Sequence, residues 1–148
     1  MDLFVNIALV ATSLVLFCYW FRYGCLLILA AETPHDYSKQ AAEANQLSFH
    51  EVRSRLRSKE ATDLSRLHKC LERDFALVTY LLEHTPVTRF DIGFDDAMLK
   101  VHFRSMSACF RLTNHSLREC AVDALEEMSL VVAHLANQLG ERSAASAR

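Results

Sequence analysis

Apolar residues dominate the first part of this chain on every side and recur at helical spacing through the rest. From Leu3 to Phe21 it reads LFVNIALVATSLVLFCYWF, uncharged, with only Asn6, Thr12 and Ser13 clearly polar. A helix of that length rises about 28 Å, close to the hydrocarbon thickness of a bilayer. Soluble core helices rarely stay apolar on every face for so long. Tyr19, Trp20, Arg22 and Tyr23 close the stretch with an aromatic and cationic cluster suited to the headgroup level. The pattern predicts a single transmembrane helix. A cleaved signal peptide would need a positive n-region, whereas the early charges here are the α-amine and Asp2. Arg22 also stands where a lipidation signal at Cys25 wants an apolar residue. A second apolar run, residues 25–31, is too short to cross again. It either prolongs the first helix through the headgroup layer or rests on the soluble part or on a partner.

Beyond residue 31 the pattern becomes amphipathic. Residues 32–47 form a polar connector, predicted to be partly helical, with Pro34 closing the first helix. Ser48 and Glu51 fit a capping box for a short helix carrying Phe49, Val52 and Leu56 on one face. Leu64, Leu67, Leu71, Phe75, Val78 and Leu82 form a seam that ends near His84, before Thr85-Pro86. A loop through Gly93 precedes the stripe Leu99, Phe103, Met106 and Phe110, with Asp95 and Asp96 in the first turn. Ser116 and Glu119 suggest another capping box. A last helix then carries Leu117, Ala121, Ala124, Met128, Val131, Leu135 and Leu139, with Gly140 as its C-cap.

The expected fold is therefore all-α. A transmembrane anchor with its extension (1–31) and a connector (32–47) lead to a small antiparallel helical bundle of three long helices plus a short one (48–140). A flexible tail (141–148) follows. Scarce glycine and proline, three and two residues, agree with helices and not with a sheet. No Lys or Arg precedes the span, while Arg22 and Lys39 follow it. The positive-inside rule then puts the N-terminus outside and the C-terminal domain in the cytoplasm.

Charge and candidate chemistry narrow the function only a little. A net charge of −2 gives no reason to expect nucleic acid as a partner. Five cysteines, an odd count without CxxC spacing, read as small buried hydrophobes in a reducing compartment. His68, His102 and His134 lie on or beside the apolar stripes of the three long helices. In an up-down-up bundle they spread over about 20 Å, too far for one metal, so no metal or other cofactor is expected. The pairs His68/Glu72 and His115/Glu119, four residues apart, read as surface or boundary contacts. No nucleotide loop, nucleophile elbow or zinc-protease signature occurs, and no enzymatic activity is expected.

Phe49-His50-Glu51-Val52-Arg53-Ser54-Arg55-Leu56 resembles the phosphoacceptor box of sensor histidine kinases, in which His-Glu precedes a hydrophobe, Arg, and then Thr-Pro-Leu. The resemblance covers eight residues and implies His50 as phosphoacceptor with Glu51 as its neighbouring acid/base. Arg55 stands in place of the proline, and no glycine-rich nucleotide lid follows. Arg53, Arg55, Arg57 and Lys59 spread around the basic helix 49–59, either as a solvated face or as a contact for anionic lipid. The leading expectation is a membrane-anchored helical interaction or assembly protein, bound to the bilayer and to a protein partner or to copies of itself. Signalling through His50 and peripheral lipid binding through the basic helix are the alternatives. The spacing of Ala8 and Thr12 in the anchor suggests close helix packing.

Overall fold

The computed structural model describes residues 2–31, 35–58, 63–85 and 93–147, and among them every regular element is helical. The helices are α1 (Asp2–Ala30), α2 (Ser38–Asn45), α3 (Phe49–Arg57), α4 (Leu64–His84), α5 (Phe94–Thr113) and α6 (Arg118–Ser146). They divide into two compact units, residues 1–32 and residues 33–148.

The first unit contains α1 alone. It runs unbroken for 29 residues, so residues 25–30 prolong the helix that begins at Asp2. It is long and apolar enough to cross a membrane. From residue 2 to residue 20 every side chain is exposed, on all faces of the helix. The Thr12 hydroxyl donates to the Ala8 carbonyl at 2.8 Å. That bond engages the Thr12 hydroxyl proton within its own helix.

In the second unit α2, α3, α4 and α5 all pack on α6. The stripe expected on α6 is buried from Ala121 to Leu139, and Leu125, Val132 and Ala136 are buried beside it. Helices on several sides of α6 cover more than the single face that a two-helix contact would need. Leu117, expected at the start of that stripe, is instead 56% exposed at the N-cap position. Phe49, Val52 and Leu56 of α3 are buried, as are Leu64, Leu67, Leu71, Val78 and Leu82 of α4. Phe75 stacks on Phe103 of α5 with ring centroids 3.9 Å apart. Toward the ends of the two helices, His68 stacks on Phe110 at 4.4 Å and Glu83 accepts a bond from Lys100 at 3.1 Å. Partner numbers on α5 fall as those on α4 rise, so the two helices run in opposite directions.

Several helix ends differ from the sequence expectation. The connector holds a complete helix, α2, ended by Gln46 in the left-handed region at φ 53°. Ser48 occupies the N-cap of α3, but its side chain makes no cap bond there. Asp74 of α4 takes over instead, accepting from the Ser48 N–H at 2.7 Å and the Ser48 hydroxyl at 3.3 Å. The expected box at Ser116 is likewise unmade, because α6 begins at Arg118. Asp63 caps α4 through the Arg66 N–H at 3.0 Å.

Gly140 does not end α6, which continues as helix to Ser146, through residues expected to form a tail. Its lack of a side chain serves packing: a Cβ there would overlap the Cβ of Tyr37. The Tyr37 N–H donates to Oδ1 of Asn137 at 2.6 Å, one turn earlier on α6, and fixes the entry to α2.

Candidate functional site

His50 lies on α3, half-buried, with its Nε2 buried and, among the described residues, without a hydrogen bond. Burial pushes its pKa down, partly opposed by Asp36. A phosphoacceptor imidazole must offer a ring nitrogen to an incoming phosphoryl group, and of the two in His50 Nε2 is the covered one. His50 does border an open cleft of about 670 Å³ between α2 and α3, lined also by Lys39, Glu43, Gln46 and Glu51. Glu51, in the same cleft, accepts from Arg55 Nη2 through Oε1 at 2.5 Å.

The basic residues of α3 divide. Arg53 is half-buried with its Nε covered, Arg55 is bound to Glu51, and Arg57 is exposed. Lys59 lies outside the described residues.

The best-built polar cluster joins α4 to α5. His68 Nε2 lies 2.9 Å from Ser107 Oγ, and the Ser107 hydroxyl donates to Glu72 Oε1 at 3.0 Å. Arg111 Nη2 donates to the same Glu72 oxygen at 2.8 Å. His68 and Ser107 are buried, whereas Glu72 is partly open to a shallow groove of about 380 Å³ floored by Phe75 and Phe103. Partial burial of Glu72 raises its pKa, but the bonds from Ser107 and Arg111 outweigh it and hold the carboxylate below its usual range. Burial pushes His68 down and keeps the ring neutral near pH 7.

That geometry has a direction. A hydroxyl has one proton: where Ser107 gives it to Glu72, the imidazole donates to Ser107 through Nε2–H. A serine nucleophile needs the reverse, a histidine lone pair facing the hydroxyl and a carboxylate on the far ring nitrogen. Here Glu72 approaches the same Nε2, at 3.6 Å. The cluster clamps α4 and α5 together.

A second buried pair joins α5 to α6, with His102 Nε2 3.1 Å from Glu127 Oε2. His134 lies on α6, half-buried and 3.4 Å from the Gln138 amide, its pKa pushed down by burial against the opposing pull of Asp96, Glu141 and Asp95. The three stripe histidines thus have separate partners: Ser107, Glu127 and Gln138. Among the described residues no three His, Cys, Asp or Glu side chains are placed to hold a metal ion. The cysteines differ from the buried reading: Cys25 is buried, Cys70 and Cys109 are half-buried, and Cys18 and Cys120 are exposed.

Sequence reasoning missed Ser107, Arg111, Asp74 and Glu127. The one available signal was pairing at four-residue spacing, His68 with Glu72 on α4 and Ser107 with Arg111 on α5. Nothing in either helix alone says that the two pairs face each other. Comparison with protein-family models, with curated proteins and with solved structures gives no match.

Proposed function

We propose that the protein is a membrane-tethered interaction module without a catalytic role. In this reading α1 crosses the bilayer once, and α2–α6 form a small antiparallel bundle on the cytoplasmic side that presents a helical surface to a protein partner. The observation that carries the reading is α1 itself, whose apolar side chains are exposed around the whole helix from residue 2 to residue 20. Such a surface is stable in hydrocarbon and costly in water. Trp20 packs edge-on against Tyr23 with centroids 5.9 Å apart, a pair suited to the interface beside Arg22.

A face of α5 supports the interaction role. Phe94, Val101 and Leu112 are 81%, 53% and 81% exposed. Ala97, Ser105 and Ala108, also exposed, lie between them at helical spacing. Large apolar side chains separated by small ones make a surface that another helix can fit.

Alkaline carbonate extraction of membranes containing the full chain tests the tether. Retention in the pellet is expected, together with protease sensitivity of the C-terminal unit only after the cytoplasmic face is opened. Release into the supernatant would refute the tether, and protection of the opposite pattern would reverse the orientation.

A further inference from the structure

Asn6 is the feature of α1 that a simple anchor does not need. Its carboxamide is exposed, lies one turn inside the apolar span, and makes no hydrogen bond among the described residues. Thr12 satisfies its own hydroxyl by bonding back to Ala8 at 2.8 Å, but a carboxamide has donors and an acceptor that lipid tails cannot meet. Polar groups in such a medium look for partners on another helix.

The rest of α1 is arranged around Asn6. Asn6, Val10, Ser13, Phe17, Trp20, Gly24 and Leu27 alternate in steps of four and three residues, a heptad seam along one side of the helix. The seam carries Ser13 midway along the span and Gly24 near its end. Val15, Tyr19 and Arg22 lie on the opposite side, about half a turn away at 100° per residue.

We propose that α1 pairs in the membrane with α1 of a second copy of this chain, through the Asn6–Ser13–Phe17 seam. Copies inserted with one orientation run parallel, so each seam residue meets its own counterpart. Asn6 is suited to that symmetry because one carboxamide can donate to the carbonyl oxygen of the other. A single asparagine at such a seam position also sets the register and number of helices. The proposal rests on α1 spanning the bilayer and adds to that reading a named partner and a named contact.

The test uses the full chain in liposomes, with the dimer fraction read by single-molecule photobleaching of a labelled C-terminus. Asn6→Leu should lower the association constant about three- to tenfold. Asn6→Gln, which keeps the amide, should preserve most of it, and Val15→Leu on the opposite side should leave it unchanged. Carbonate retention is measured on every variant in parallel. A retained chain that is monomeric as wild type, or that dimerises equally well as Asn6→Leu, overturns the pairing and leaves the tether intact. A wild-type chain that carbonate releases overturns the tether, and the pairing with it.

Discussion

Asp74 shows how one side chain holds two elements. It is buried on α4, and burial raises its pKa above the ordinary carboxylate range. Bonds from the Ser48 N–H, the Ser48 hydroxyl and the Phe49 N–H pull in the other direction without cancelling that effect. A carboxylate at the first turn of α3 also meets the positive end of the helix dipole. Asp74→Ala leaves two buried N–H groups without their acceptor and should cost about 1–3 kcal/mol. Asp74→Asn keeps an acceptor oxygen while removing the buried charge, and should cost clearly less. Urea unfolding of both variants in detergent, followed by circular dichroism, measures the difference. Equal losses would mean that the charge, and not the capping bond, matters.

At the scale of elements, α2 depends on a missing side chain. Tyr37 packs against Gly140, where a Cβ would overlap it, and its N–H is held by Asn137. Gly140→Ala gains about 1 kcal/mol of helix propensity in α6, yet the overlap involves the first carbon of Tyr37, which cannot swing aside as the end of a flexible side chain can. Gly140→Leu should cost about 1–3 kcal/mol by overpacking. Hydrogen exchange should then quicken in α2 more than in α5, and uniform quickening would argue against this local account. The same contact marks the limit of what the sequence tells. The stripes of α3, α4 and α5 were legible because helical period alone says which residues share a face. The end of α6 was not, since Gly140 followed by a polar segment matches a C-cap pattern. Only the position of Tyr37, far away in the chain, shows why the glycine lies inside a helix. The His68–Ser107–Glu72–Arg111 cluster was hidden for a related reason: its geometry depends on the relative rotation of α4 and α5.

For the whole molecule, acid should weaken the second unit. His50, His68 and His134, on three different helices, all have pKa values lowered because burial disfavours their charged form. An unfolded chain takes up these protons near about pH 6.5, while the folded chain resists. The unfolded state then holds more protons, so stability is full above that pH and falls as pH drops toward the folded-state values. Urea midpoints of the full chain in detergent at pH 7, 6 and 5 should decrease in that order. His134→Gln removes one of the three groups and should make the decline shallower; an unchanged slope would show that His134 does not contribute.

The place of α6 has a consequence for biosynthesis. All four of its packing partners precede it in the chain, and each lacks its contact surface on α6 until that helix is made. In the membrane reading proposed above, α1 can therefore enter the bilayer while α2–α5 still lack the surface of α6. During that interval the sides of these helices that α6 will cover are open to solvent, to chaperones and to neighbouring nascent chains. Folding of the second unit is thus completed only once α6 has been made.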